Sequence, residues 1–467
     1  MDDLSKVRKF DLNIEEVLEN WEVFHALREI IANALDEQIL TVTEEIEITT
    51  EGNLTKIKDF GRGLRYEHLT QNENQEKINN SDKVIGKFGV GLKDALATLN
   101  RHKIDVVVKT KYGDITLEKT AKSGFDDILT LHAIINPPSD PNFLGTEFLL
   151  KGCDGGELSK AKNLFLKFSG EPILEKTKYG EILSKKEEIA NIYINGVRVA
   201  TEDNFLFSYN ITSMTSTMRK SLNRERTNVG RTAYAVRIKD ILLASKESTI
   251  ARILADDLDK YEEGTQHDEL KWNEVCVHAC KILNSKSKVV FVTSEEQFVE
   301  KDLIGHAKGD GLEVVIIPNI IKEKITGIVD IEGTAMRDVS QYLHEYNESF
   351  EFEFISESEL THDERKIFAC KDKIMNLVGG KPKVVRDIKI SETLRVGSTA
   401  CGALGLWDGR IIIIKKEQLD SLDSFADTLL HEVAHAESGC PDVDRGFESK
   451  LSEYLGDISA KIIKLEK

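Results

Sequence analysis

Hydrophobic and polar positions change period several times along this chain, and each change marks an element. Over residues 21–41 the period is helical. Phe24, Leu27, Ile31, Ala34 and Leu35 form an apolar stripe suited to lying on a sheet, while Glu29, Asn33 and Asp36, at i, i+4 and i+7, line the neighbouring side with carboxylate, amide and carboxylate. Over residues 45–58 the period drops to two, which predicts two short strands joined at Gly52-Asn53. Asp59-Phe60-Gly61-Arg62-Gly63 then sets an aspartate at a strand end beside two glycines. Residues 64–84 are polar with little to bury and read as a mobile lid. Gly86-Lys87-Phe88-Gly89-Val90-Gly91-Leu92-Lys93 opens an apolar-periodic helix through Ala95, Leu96 and Leu99. Glycines there let backbone N–H groups approach a phosphate, and a helix N-terminus favours its negative charge.

Alternating strands follow at 104–109, 115–119 and 128–134, and Gly145-Thr146 opens another at 147–150. The pattern is helical again over 157–168, and a strand at 192–199 is broken by Asn195-Gly196, a hairpin turn signal. A basic loop, Asn223-Arg224-Glu225-Arg226-Thr227-Asn228-Val229-Gly230-Arg231, leads to a long helix expected over 233–258, and Glu262-Glu263-Gly264-Thr265-Gln266-His267-Asp268 reads as a linker. Beyond a helix at 270–283, strands at 288–293 and 313–318 flank helical sequence and predict a small α/β unit.

A second chemical centre stands near the C-terminus. His431-Glu432-Val433-Ala434-His435 is an H-E-x-x-H motif on a predicted helix, whose i, i+4 spacing aims both imidazoles the same way, so that they can share one Zn²⁺. Glu432 is then the candidate base toward water activated by the ion. The strand at 410–414 is expected to border the cleft. A catalytic zinc needs a third protein ligand, and the candidates lie beyond Gly439: Glu448, at the start of a helix with core stripe Phe447, Leu451, Leu455 and Ile458, is preferred, with Asp442 as the alternative.

The helix face, Asp59-Phe60-Gly61-Arg62-Gly63, the glycine-rich helix start and Gly145-Thr146, in this order over residues 10–155, resemble the ATP site of the GHKL superfamily of gyrase, MutL, the large heat-shock chaperone and histidine kinases. The resemblance implies a Bergerat-type α/β sandwich in which Glu29 orients the attacking water and Asn33 holds Mg²⁺. It further implies that Asp36 lines the pocket and that Asp59, backed by Thr146, accepts a hydrogen bond from the adenine amino group. Gly61 and Gly63 would pass close to the ring, and Gly86, Gly89, Gly91 and Lys93 would wrap the phosphates. A glutamate at position 29 favours hydrolysis over phosphotransfer. Members with a transducer domain send a cation to the γ-phosphate, a role open here to Arg224 or Arg226, which otherwise make a solvated basic loop. In the C-terminal region, a glutamate on the following helix resembles the gluzincin arrangement and Asp442 a metzincin-like one with its spacing displaced by one residue.

Composition narrows the partners. With 467 residues, 40% hydrophobic content and 7 Pro, several folded domains are expected. A net charge of −18 opposes broad affinity for nucleic acid or anionic membranes, though a local basic groove remains compatible with it. No apolar run approaches the ~20 residues that span a bilayer, and the first residues do not read as a signal peptide, so the cytoplasm is the expected location. Six cysteines without a Cys-x-x-Cys pair suggest neither a disulfide framework nor a cysteine zinc knuckle, and Cys276 with Cys280 reads as buried thiols.

The expectation is an α+β multidomain protein: an ATP-binding domain over 1–155, a transducer-like domain over 156–262, a small α/β spacer over 263–345 and a zincin-like domain over 346–467. It would be a dimeric, ATP-hydrolysing switch, using ATP, Mg²⁺ and Zn²⁺, that regulates a peptidase acting on protein or peptide. The alternative is a clamp or chaperone-like ATPase acting on nucleic acid or client proteins, with a non-catalytic H-E-x-x-H helix.

Overall fold

The computed structural model describes residues 6–12, 20–70, 75–80, 84–85, 91–122, 124–221, 229–261, 263–349, 351–394 and 404–465. It is a multidomain α+β protein, and the chain divides into two compact units, Met1–Ala279 and Cys280–Lys467.

The first unit opens on a seven-stranded antiparallel sheet. Its strands are β1 (Arg8–Asp11), β2 (Glu47–Glu51), β3 (Leu54–Asp59), β4 (Asp105–Thr110), β5 (Gly113–Lys122), β6 (Phe125–Asn136) and β7 (Thr146–Lys151), in the order β1-β6-β5-β4-β7-β3-β2. The Gly52-Asn53 turn joins β2 to β3 as the alternation predicts, and β7 pairs Thr146 with Asp59 of β3. Two helices, Val23–Thr41 and Gly91–Arg101, lie on this sheet. The first starts at a capping box in which Glu22 and His25 exchange side-chain and backbone hydrogen bonds, which satisfies N–H groups that a helix start otherwise leaves open. Leu27, Ile30 and Ile31 are fully buried in its stripe, with Leu96 and Leu99 from the second helix beside them. Short helices Glu67–Thr70 and Gln75–Asn79 occupy part of the segment expected to be a lid.

Helices Gly155–Lys162 and Leu166–Ser169 replace the single helix expected over 157–168 and lead to a second sheet. It contains β8 (Ile173–Lys176), β9 (Gly180–Ser184), β10 (Ala190–Ile194), β11 (Val197–Glu202) and β12 (Phe207–Ile211), ordered β11-β10-β12-β9-β8. Asn195 (φ 47°) and Gly196 (φ 79°) make the β10–β11 turn, both in the left-handed region that a tight two-residue hairpin uses. The long helix expected over 233–258 is two, Arg231–Leu243 and Ser248–Leu258. The break has a tertiary cause: Glu175 accepts hydrogen bonds from Ser245 Oγ (2.5 Å) and Lys246 N (2.8 Å), which pins the backbone out of helical pairing. Helix Asn273–Lys286, which carries the buried Cys276 and Cys280, runs across the division between the two units.

In the second unit, β13 (Val289–Val292) and β14 (Glu313–Ile316) pair in parallel, and the right-of-sequence gap between them holds helices Ser294–Val299 and Lys301–Gly309. A four-stranded sheet follows, ordered β15-β16-β18-β17, from β15 (Phe354–Ile355), β16 (Asp387–Ser391), β17 (Gly405–Trp407) and β18 (Ile411–Lys415). Helix Leu422–Ser438 packs on it through Phe425, Leu429 and Val433, which share a core with Ile412 and Ile414. Ser421 caps its start by accepting from Ser424 N, and Gly439 (φ 66°) ends it. The last helix, Arg445–Leu465, contributes Phe447, Leu451 and Ile458 to that core, whereas Leu455, expected in the same stripe, is 68% exposed.

Candidate functional site

Two polar constellations stand out, one in each unit. In the first, Asn33, Asp59, Gly63 and Thr146 line a cavity of about 350 Å³. Apolar Ala34, Leu92 and Phe148 also line it. Asp59 is 5% exposed at the end of β3. Its Oδ1 accepts from Gly61 N (2.9 Å) and Thr146 N (3.3 Å), and Thr146 Oγ1 accepts from Leu64 N (3.1 Å). Burial raises the Asp59 carboxyl to about 6, partly opposed by the Gly61 and Thr146 hydrogen bonds. A buried carboxyl oriented by two backbone donors is a fixed acceptor for a ligand N–H group.

The polar helix face meets the chain's own cations. Lys77, from the short helix Gln75–Asn79, donates to Asn33 Oδ1 (2.9 Å) and Asp36 Oδ2 (2.8 Å). Asp36 is fully buried, and its Oδ1 also accepts from Ile85 N (2.5 Å). Val84 O in turn accepts from Asn195 Nδ2 (3.1 Å) at the β10–β11 turn. Glu29 Oε1 accepts from Arg28 Nη2 (2.9 Å). Its other oxygen lies so close to Gly91 that a Cβ there would stand 2.4 Å from it, so a side chain at position 91 would push this carboxylate aside. Lys93 is half-buried on the same helix as Gly91 but outside the cavity wall. Gly86, Gly89, Arg224 and Arg226 lie outside the described residues.

Several cavity residues were given no role by the sequence reading, among them Glu37, Arg62 and Lys77. Arg62 clasps Glu37 through Nε (2.8 Å) and Nη2 (2.9 Å), and its Nη1 reaches Glu76 (3.0 Å). The bidentate pair holds Glu37 below the ordinary carboxylate range against the opposing effect of its burial. Glu37 was legible in principle, since it stands four residues after Asn33 on the same face.

In the second unit, His431 Nε2 and His435 Nε2 stand 3.1 Å apart, and Asp442 Oδ1 lies 3.1 Å from the first and 3.2 Å from the second. These three atoms form a group able to hold a metal ion. The edges of a tetrahedron with ~2.0–2.1 Å bonds are about 3.3–3.4 Å, so the triangle and its N₂O donor set fit zinc, with a fourth direction left open. His435 Nδ1 lies 2.8 Å from Cys440 O; a proton on Nδ1 donated to that carbonyl leaves Nε2 as the ligating atom. Phe447 stacks on His435 at 4.2 Å between centroids and fixes the ring plane.

Glu448, preferred in sequence as the third ligand, is not brought to the histidines; Asp442 is. The reason is helical geometry. Phe447 turns inward onto the imidazoles, so the next residue, about 100° further round, faces solvent. The strand expected at the cleft, β18, packs against this helix, and its edge neighbour β17 comes up against Glu432. A Cβ on Gly405 would fall 2.8 Å from Glu432 Oε1 and 2.7 Å from Thr428 Cγ2, so the strand and helix approach closely only because residue 405 is glycine. Glu432 is 6% exposed. Burial lifts its carboxyl to about 7, against the pull of His435 and a hydrogen bond from Trp407 N.

These features define a multidomain α+β protein with a polar-faced cavity in its first unit and a His-His-Asp centre in its second. The chain belongs to the same family as an uncharacterized protein of Mycoplasma pneumoniae, with which it is 38% identical over 244 residues, 51% of this chain and 98% of that protein. A second uncharacterized protein of the same organism is 22% identical over 348 residues, 68% of this chain and 96% of its own length. Residues 156–248 match the family described as the Mycoplasma pneumoniae MPN635 N-terminal domain. Among the described residues no helix is long and apolar enough to cross a membrane.

Proposed function

We propose that this protein is an ATP-hydrolysing switch of the GHKL type whose C-terminal region is a zincin-like peptidase. The nucleotide half rests on one observation, a buried Asp59 held by Gly61 N and Thr146 N in the wall of a cavity that Asn33 also lines. Asp59 would read the adenine amino group, and the glycine-bordered Glu29 would orient water and take its proton during attack on the terminal phosphate. Asn33 would hold Mg²⁺, which when bound neutralises charge on the triphosphate. Its oxygen already takes a cation in the form of Lys77, and this ammonium would hand over to the ion.

The peptidase half rests on the convergence of His431, His435 and Asp442. Zinc held there would supply Lewis acidity toward a peptide carbonyl and water. Glu432, pressed between Gly405 and Trp407 N, would accept the proton of the attacking water and deliver it to the departing amine. The Cys440 carbonyl and Phe447 keep His435 in one tautomer and one plane. In this reading the protein is a homodimer in which ATP binding controls access of a protein or peptide substrate.

The test combines zinc quantification by mass spectrometry with casein hydrolysis measured with ATP, ADP and a non-hydrolysable ATP analogue. About one zinc per chain and a rate that differs between the analogue and ADP are expected. Absence of zinc removes the peptidase half, and equal rates in all nucleotides remove the switch.

A further inference from the structure

A second recess of about 330 Å³ shares Leu64 and Arg65 with the cavity that holds Asp59. Its chemistry is different. Among the described residues, Lys6, Arg8 and Arg65 bring three cations to its wall against one carboxylate, Glu67, on a chain whose net charge is −18. Two of the cations lie over aromatic rings: the Arg8 guanidinium carbon is 5.4 Å from the Tyr66 centroid and that of Arg65 is 4.6 Å from Tyr112. Arg65 Nη2 also donates to the Tyr112 hydroxyl (2.9 Å), so this guanidinium is held flat at the rim instead of sweeping through solvent. Together with Lys111, it keeps the Tyr112 phenol below its ordinary value, a sign of a locally positive field. The floor is apolar, from buried Ile115 and Ile135.

We propose that this recess is a second ligand site, for a small anion carrying a flat ring, of the aryl phosphate or nucleoside monophosphate class. The phosphate would lie among Arg8, Lys6 and Arg65, and the ring would cover Ile115 and Ile135 with an edge on the Tyr112–Arg65 pair. Each half of such a ligand finds its complement, charge at the rim and apolar surface at the floor, and the volume falls at the lower end of the range for small-molecule sites. The site shares its wall with the first cavity through a fixed segment. Thr146 accepts from Leu64 N on one side, and Thr110 Oγ1 donates to Leu64 O (3.1 Å) on the other.

The experiment is calorimetric titration of the full chain with phenyl phosphate. Inorganic phosphate and phenol serve as half probes, and a short single-stranded DNA serves as a macromolecular competitor. One sub-millimolar site is expected, weakened at least tenfold in Arg8→Met and in Lys6→Met and unchanged within twofold in Asp59→Asn. Arg8 is on edge strand β1 and partly exposed, and Lys6 is exposed, so both variants leave the core intact; thermal melting checks this. Arg8→Lys, which keeps the charge but loses the planar stack, is expected to recover part of the binding. No binding at about 10 mM overturns the proposal. A loss in Asp59→Asn that spares Arg8→Met overturns it too, because the probe would then sit in the first cavity. Phosphate binding as tightly as phenyl phosphate removes the ring from the claim, and DNA binding more tightly than either replaces it with a nucleic-acid surface.

Discussion

The helix Val23–Thr41 and the helix Leu422–Ser438 use the same device to opposite electrostatic ends. Each presents polar side chains at helical spacing along one face and anchors the opposite face in a core. On the first, Asn33 and Asp36 share the ammonium of Lys77, and Asp36 takes a further backbone donor. On the second, two imidazole nitrogens and a carboxylate oxygen converge on one another within 3.2 Å. The first face is neutralised by a side chain on a short neighbouring helix; the second is arranged around a point where a cation would satisfy all three acceptors at once. A polar helix face is therefore not one kind of site. What approaches it from outside the helix decides whether it exchanges cations or concentrates one.

The sharpest break in this comparison lies in the metal content. His431→Ala, His435→Ala and Asp442→Ala are each expected to reduce zinc from about one per chain to near zero, whereas Glu448→Ala keeps it. Zinc loss in Glu448→Ala with retention in Asp442→Ala would reverse the assignment of the third ligand. Glu432→Gln keeps the metal and lowers peptide hydrolysis by about 10²–10⁴-fold, the span for a lost general base. On the first helix, Glu29→Ala is expected to lower ATP turnover by about 10²-fold while calorimetry still shows nucleotide binding. Unchanged turnover would remove Glu29 from the chemistry.

How far the sequence carried these predictions varies along the chain. The helix 21–41, the Gly52-Asn53 and Asn195-Gly196 turns and the H-E-x-x-H helix were legible because periodicity and turn chemistry are local. The break at Ala244–Glu247 was not, since it depends on Glu175, a residue some seventy positions earlier that captures Ser245 and Lys246. The third ligand failed for a related reason. Glu448 and Asp442 are both acidic and both near in sequence, and only the inward turn of Phe447 onto the imidazoles separates them. Lys77 was hidden in a polar stretch with no period, where nothing local says which lysine will reach the helix. Gly405 carried no motif at all; its role follows from the approach of β17 to Glu432.

A smaller effect sharpens the picture of Asp59. Its carboxyl is raised to about 6 by burial, and the proposed contact to an amino group needs the ionised form. ATP affinity is therefore expected to fall about tenfold between pH 7 and pH 5. The stability contribution of Asp59 has the reverse sign. With the folded-state value above the unfolded one, the folded chain retains the proton between roughly pH 4 and 6, so this carboxyl lowers stability as pH rises through that window. Calorimetric affinity and thermal melting at the two pH values check both slopes. The smallest effect concerns the cation on the first helix. Lys77→Met removes the ammonium that Asn33 and Asp36 share, which is expected to cost about 1–3 kcal/mol of stability, read as a fall of a few degrees in Tm.

The backbone of residues 84 and 85 is also a mechanical coupling. Ile85 N is held by Asp36, and Val84 O is held by Asn195, so one dipeptide ties the polar helix face to a hairpin 111 positions further along the chain. Both turn residues of that hairpin sit in the left-handed region, the conformation that a tight two-residue turn uses. Movement of Asp36 toward a bound ion would have to drag the tip or release it. If an ion or nucleotide is bound at the helix face as proposed, the second sheet would register that occupancy without touching the ligand.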